Sequence, residues 1–320
     1  MSRKVSIVIP VFNESANIPV VVESIFKTIE KLQYSFEVIF VDDGSSDESL
    51  VTAYKLSVSH PNIYYIQLSR NFGHQNALKA GLDYATGDCV ISMDGDMQHP
   101  PHLIPQLIEH WERGHDVVYT RRIDSDLTFF KRVTSKLFYK FLNAISDVDI
   151  EAGTADFRLL DRKVVDKLKS LKETDLFFRG LVKWVGFRQH SIEYTPAIRH
   201  SGESKYTFKK MRNLALRGIT SFSIKPLIYS AYLGIFISVI SVAVYIPYLA
   251  NAVINRNYFP KWASLIFAIS FFGGLNLMVL GMVGIYVGKL FMQAKERPNY
   301  IVKNTNLVNE PNTVHDIVEL

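Results

Sequence analysis

Two uncharged stretches near the C-terminus constrain this chain more than any other feature. Between Lys225 and Arg256 lie 30 consecutive residues without a formal charge, and between Lys261 and Lys289 another 27. About 20 apolar residues in helical form cross the hydrocarbon core of a bilayer. Both stretches are long enough, and the loop between them holds only Arg256 and Lys261 as charges. A pair of buried core helices is the alternative, but two such runs side by side are rare in soluble proteins. The expectation is a two-helix transmembrane hairpin over 226–290.

Lys and Arg set its orientation. Lys205, Lys209, Lys210, Arg212, Arg217 and Lys225 crowd the approach to the first stretch, and Lys289, Lys295, Arg297 and Lys303 follow the second. Cytoplasmic flanks carry the Lys/Arg excess, so the N-terminal part and the C-terminal tail are expected together on the cytoplasmic side of a cell (inner) membrane, in a multi-pass protein. The formal net charge of +5 is modest. Its clusters sit beside the apolar stretches, which suits anionic headgroups or a phosphorylated lipid and speaks against nucleic acid. The N-terminus does not read as a secretion signal, because Pro10, Asn13 and Glu14 cut short the apolar run after Ser2-Arg3-Lys4. The single cysteine, Cys89, excludes an intramolecular disulfide and reads as core, consistent with a reducing cytosol.

The N-terminal 125 residues alternate strand and helix. Val5–Ile9, Phe36–Val41, Ile63–Leu68, Cys89–Met93 and Asp116–Thr120 read as strands. Ile18–Leu32, a segment capped by Ser46, Gln75–Tyr84 and Leu103–Trp111 read as the helices between them. Such β-α units imply a mainly parallel α/β sheet with helices on both faces. Ligands of such sheets sit beyond the carboxyl ends of the strands. The polar clusters Asn13-Glu14, Asp42-Asp43, Arg70-Asn71 and Asp94 with Asp96 fall there.

The pattern changes from about Asp126. Leu127, Phe130, Val133, Leu137, Phe138, Phe141, Leu142 and Ile145 share one helical face opposite Arg132, Lys136 and Lys140. That helix either lies in the membrane interface, apolar side down, or packs on the core. A second amphipathic segment runs from Thr207 to Phe222. The division expected is 1–125, an α/β core; 126–225, a part with interfacial helices; 226–290, the hairpin; and 291–320, a polar, mobile, cytoplasmic tail rich in Asn.

Asp94-Gly95-Asp96 ends a strand in a turn, offering two hard oxygen ligands around a glycine that leaves room for a diphosphate. Mg²⁺ or Mn²⁺ suits such a site, and Gln98 adds an oxygen. Asp42-Asp43-Gly44-Ser45 ends the second strand, where an acidic residue can bind a ribose hydroxyl or a base N–H. A dinucleotide-binding domain also has an acid there, but the first turn here, Pro10-Val11-Phe12-Asn13-Glu14, has no glycine to admit a pyrophosphate.

Val8-Ile9-Pro10-Val11-Phe12-Asn13-Glu14, Val41-Asp42-Asp43-Gly44-Ser45-Ser46-Asp47, Asp94-Gly95-Asp96-Met97-Gln98 and Arg199-His200-Ser201-Gly202-Glu203-Ser204-Lys205-Tyr206 resemble the inverting GT-A glycosyltransferases of family 2. Within that family the chain is similar to the polyisoprenyl-phosphate glycosyltransferases, over about residues 4 to 295. The resemblance implies that Pro10, Phe12, Glu14, Asp42, Asp43 and Gly95 contact the nucleotide. Phe12 stands where a tyrosine is often found, which stacking tolerates. The resemblance places the metal on Asp94, Asp96 and Gln98, and the diphosphate on Arg199 and Lys205. It puts Asp156 near the acceptor, as a base or as an orienting group, and marks Arg121, Arg122, Lys131, Arg132 and Ser135 as candidates for the acceptor phosphate. Asp96 and Asp156 are the catalytic candidates.

The implied partners are a nucleotide-sugar donor, a polyisoprenyl phosphate acceptor and the lipid bilayer. A lipid phosphate is already ionised near neutral pH, so its oxygen attacks the anomeric carbon without an obligatory base, and direct displacement inverts that carbon. Family analogy favours UDP-glucose, with GDP-mannose or an amino-arabinose donor behind it. A processive polysaccharide synthase would carry a Gln-x-x-Arg-Trp-type motif and more spans, and neither is present. A non-catalytic membrane scaffold would have no need of these motifs together. Gly284 and Gly288 permit close helix packing and a homo-oligomer, or reflect the ordinary glycine frequency of spans.

Overall fold

The computed structural model describes residues 3–123, 153–173, 176–195 and 261–307, with scattered helical positions between 225 and 246. Both expected amphipathic segments, 126–145 and 207–222, lie outside the described residues, as does much of the first uncharged stretch.

β1 (Lys4–Val11), β2 (Ser35–Asp42), β3 (Ile63–Leu68) and β4 (Cys89–Ser92) alternate with α1 (Ile18–Ile29), α2 (Ser49–Ser59) and α3 (His74–Tyr84), and α4 (Ile104–Glu112) follows. β1 is buried from Val5 to Val11 without alternation, the signature of a strand covered on both faces. Its odd residues Val5, Ile7 and Ile9 meet Ile18, Val21 and Ile25 of α1 and Leu107 of α4. On the opposite face Val8 and Val41 meet Ala77, Leu78 and Leu82 of α3. Gly81 sets the approach of α3 to the sheet, since a Cβ there would come within 2.1 Å of Val8 Cγ1. The expected helices on both faces are present.

The sheet has eight strands in the order β7-β5-β6-β4-β1-β2-β3-β8, with β5 (Val117–Arg122), β6 (Thr154–Asp161), β7 (Gln189–Tyr194) and β8 (Val302–Thr305). β1–β2, β1–β4, β2–β3 and β5–β7 are parallel, whereas β4–β6, β5–β6 and β3–β8 are antiparallel. The sheet is therefore mixed, and β5 does not continue the parallel series beside β4. β6 lies between them, followed by α5 (Arg162–Ser170) and α6 (Phe178–Trp184). Asp161 caps α5 by accepting the Lys163 N–H at 3.0 Å.

Asp156 lies on β6. Two expectations are corrected. Ser46 does not cap α2: its N–H reaches Asn13 Oδ1 at 2.8 Å, and Asp47 Oδ1 accepts the Ser49 N–H at 3.0 Å instead. The tail after Arg297 is not loose where it is described. β8 pairs with β3, Asn306 Oδ1 accepts the Tyr65 N–H at 2.9 Å, and Thr305 donates to the Tyr65 carbonyl at 2.7 Å. Its polar composition suits an edge strand, half of whose groups face water.

α7 (Lys261–Ala294) contains Phe271–Ala294, a 24-residue stretch of mean hydropathy 1.7 that is long and apolar enough to cross a membrane. None of its most apolar window is buried against the protein, and Leu277 and Leu290 are 72% and 69% exposed.

Candidate functional site

From β1 the chain steps through β2 and β3 to one side and returns to the other with β4. The switch point is therefore the crevice between the ends of β1 and β4, where open α/β sheets bind ligands. Asp94-Gly95-Asp96 fills that position. Gly95 lies against β1: a Cβ there would sit 3.1 Å from Val11 Cγ1 and 3.5 Å from Ile9 Cγ2. Met97 takes the left-handed conformation (φ 64°), and Asp96 Oδ1 accepts the Gln98 N–H at 3.1 Å, so the turn is fixed on both sides.

The Asp94 carboxylate stands between two imidazoles. His74 Nε2, at the start of α3, is 2.8 Å from Oδ1, and His99 Nε2 is 3.7 Å from Oδ2. His99 Nδ1 accepts the Asp94 N–H at 2.9 Å, which leaves its proton on Nε2, facing the carboxylate. Burial alone would raise the Asp94 carboxyl, but His99 and His74 reverse this and bring it to about 2. Burial likewise disfavours the His74 cation, yet Asp94 raises it to about 9. Near neutral pH the pair is ionised.

Asp156 forms the opposite wall. Arg158, two residues on along β6 and thus on the same face, donates to Asp156 Oδ1 at 2.8 Å. Arg179 on α6 grips both oxygens, at 3.2 Å and 3.1 Å. Burial would raise this carboxyl, but Arg179 and Arg158 hold it well below the usual carboxylate range. Arg158 is 2% exposed, and its Nε has no hydrogen-bond partner among the described residues. Ser92 Oγ donates to the Asp156 carbonyl at 2.6 Å, tying β6 to the end of β4. Gln75 Oε1 accepts the Phe178 N–H at 3.0 Å, tying the start of α3 to α6. Tyr194, ending β7, is raised to about 12 by burial; Arg122 opposes this, and Asp94 and Asp96 add to it. The two acidic walls, Tyr194 and Arg122 thus share one electrostatic environment.

The third wall comes from β1 and β2. Asp42 is 2% exposed, with both oxygens 3.3 Å from the Ser45 N–H, and burial raises it. Asp43 accepts the Phe72 and Gly73 N–H groups at 2.7 Å and 2.9 Å, so its carboxylate holds the 69–73 loop in place. Gly44 (φ 70°) lets that loop approach, since a Cβ would come within 2.6 Å of the Arg70 carbonyl carbon and 2.7 Å of Asn71 N. Gly44→Ala is expected to cost about 1–3 kcal/mol through left-handed strain and loop displacement. The midpoint of thermal unfolding of the full chain in detergent, lowered relative to the wild type, checks it. Phe12, directly after β1, is 37% exposed. Glu14 accepts from the Asn17 side chain.

Arg121 pairs with Glu193 on the neighbouring strand β7. Lys131, Arg132, Ser135, Arg199 and Lys205 lie outside the described residues. Sequence reasoning missed His74, His99, Arg158, Arg179 and Tyr194. Among the described residues no group of three or more His, Cys, Asp or Glu converges to hold a metal by itself. A hard divalent cation that takes most of its ligands from phosphate and water needs only one or two carboxylates. Asp94 and Asp96 fit that requirement.

Residues 6–169 match the family described as "Glycosyl transferase family 2". The chain belongs to that family. Near-full-length relatives agree. The glycosyltransferase YkcC of Bacillus subtilis is 42% identical over 95% of each chain. The bactoprenol glucosyl transferase of Shigella phage SfV is 42% identical over 94% of this chain and 98% of its own. A prophage bactoprenol glucosyl transferase homolog of Escherichia coli K12 is 40% identical over 94% and 98%. This glycosyltransferase thus carries its acidic turn, Asp94-Gly95-Asp96, inside the matched segment, and Asp156 as well.

Proposed function

We propose that the chain transfers glucose from UDP-glucose, with inversion, to a polyisoprenyl phosphate at the cytoplasmic face of the cell membrane. The observation that carries this is the crevice itself. An acidic turn at the topological switch point faces a carboxylate clamped by two arginines, and α7 supplies a stretch able to cross a bilayer. Relatives named bactoprenol glucosyl transferases support the sugar and the acceptor.

In this reading Pro10, Phe12, Glu14, Asp42, Asp43 and Gly95 line the nucleotide site, and Arg199 and Lys205 hold the diphosphate. Asp94 and Asp96, with Gln98, hold Mg²⁺ or Mn²⁺. The metal, when bound, neutralises the charge that develops on the departing diphosphate. The acceptor phosphate, steered by Arg121, Arg122, Lys131, Arg132 and Ser135, brings an oxygen that is already anionic to the far side of the anomeric carbon. Asp156 orients rather than deprotonates: a carboxyl held far below its ordinary range is a weak base. The two uncharged stretches form a transmembrane hairpin, and Gly284 and Gly288, where an added Cβ would meet nothing within 4 Å among the described residues, permit close packing by a second copy.

Membranes carrying the chain, incubated with undecaprenyl phosphate and radiolabelled UDP-glucose or GDP-mannose, test it. Label is expected in the lipid phase from UDP-glucose alone. Label from GDP-mannose alone would replace the donor, and label from neither, with Mg²⁺ and Mn²⁺ present, would remove the lipid-phosphate reading.

A further inference from the structure

Where α7 ends, the chain turns sharply at Glu296 (φ 47°) and runs as a strap across the catalytic domain to β8. Hydrogen bonds from the end of α7 and from the strap itself hold it against the domain. Gln293 Nε2 donates to the Lys172 carbonyl at 2.6 Å, Asn299 Nδ2 to the Glu173 carbonyl at 2.9 Å, and Tyr300 OH to Asp83 Oδ2 at 2.9 Å. Between the strap and the second half of α3 lies a cavity, open on one side, of about 550 Å³, within the size range of small-ligand sites. Its walls are part apolar, from Tyr84, Leu171 and Val302, and part cationic, from Lys79, Lys172 and Arg297. Asp83 is engaged by buried Lys79 at 2.5 Å and by Tyr300, which leaves Glu296 as the other carboxylate. Neither Lys172 nor Arg297 has an ion-pair partner among the described residues.

We infer that this cavity binds the phosphate headgroup of an anionic membrane phospholipid that is not a substrate. The inference rests on the reading of Phe271–Ala294 as a membrane span, because that places the cavity at the headgroup level where the span emerges. An acyl glycerol fits the Leu171–Val302 side, and the phosphate meets Lys172 and Arg297. The site is separate from the crevice: Lys79 and Asp83 lie about 8 and 14 Å along α3 from His74, at 1.5 Å per residue.

The purified full chain in a neutral detergent is exposed to phosphatidylglycerol, phosphatidylcholine or inorganic phosphate, and retention is read by native mass spectrometry. Phosphatidylglycerol is expected to be retained in preference to phosphatidylcholine. The Lys172→Gln/Arg297→Gln variant should lose about thirtyfold of that preference, the effect of two cations at the headgroup level. Its KM for added polyisoprenyl phosphate should stay at the wild-type value. Equal retention by the variant, or equal retention of the two lipids, overturns the site. Displacement of phosphatidylglycerol by millimolar inorganic phosphate would make it a free-anion site, and a rise in acceptor KM would make it part of the acceptor path; either overturns the inference. Absence of transfer in the wild type would refute the proposed function while the retention measurement still stands.

Discussion

Alanine at Asp94 or Asp96 is expected to lower sugar transfer about a thousandfold, or about 4 kcal/mol of transition-state stabilisation, while the protein still partitions into membranes. The two losses differ in origin. Asp96 Oδ1 accepts the Gln98 N–H, so its removal frees the turn and, in the proposed reading, takes one hard ligand from the metal. Asp94 is also the counter-ion of His74, whose imidazole falls from about 9 toward its ordinary range when the carboxylate is gone. Asp94→Asn keeps the shape of the turn but not the charge, and should lose nearly as much activity as Asp94→Ala. Initial rates at saturating donor, over a series of Mn²⁺ concentrations, check this. Full activity in the alanine variants at ordinary metal concentrations would sink the assignment of these carboxylates.

Much of the fold was legible because β-α units are written locally. Ile63–Leu68 was read residue for residue, and the other parallel strands to within a few residues, from β-branched runs ended by polar clusters. The polar clusters marked the crevice, because strand ends of a parallel sheet point the same way. The nonlocal pairings were not legible. β6 inserts antiparallel between β4 and β5, a choice of partner that its sequence, Thr154-Ala-Asp-Phe-Arg-Leu-Leu-Asp161, does not announce. Its period of two was available, however, and would have placed Asp156 and Arg158 side by side. Arg179 could not have been found that way, because it reaches Asp156 from a helix after intervening turns. His74 meets Asp94 from the start of α3, a contact that only folding makes, whereas His99 meets it from five residues further along the same loop. β8 was missed because four residues, three of them polar, in an Asn-rich tail gain strand structure only from the free edge of β3.

Asp156→Ala should destabilise the catalytic domain by about 3–5 kcal/mol, since it strands a buried guanidinium. Arg158 is the reason: it is almost wholly buried, burial already pushes its pKa down, and Asp156 is the carboxylate that opposes this. The pH dependence has a defined sign. A carboxyl depressed on folding contributes stability that is complete above its unfolded value of about 3.9 and is lost as pH falls toward the folded one. The gap between wild type and Asp156→Ala should therefore be flat from neutrality to about pH 5 and narrow only in stronger acid. Thermal unfolding of the full chain in detergent, with a midpoint shift on the order of 10 °C, reads it. Adding Arg158→Met removes the stranded charge, and the double variant should regain most of the lost stability. If transfer returned with stability, Asp156 would be a structural counter-ion alone. Stability without transfer would place its carboxylate at the reacting groups. The clamp by Arg179, which already holds the charge in position near His74 and Asp94, favours that second outcome.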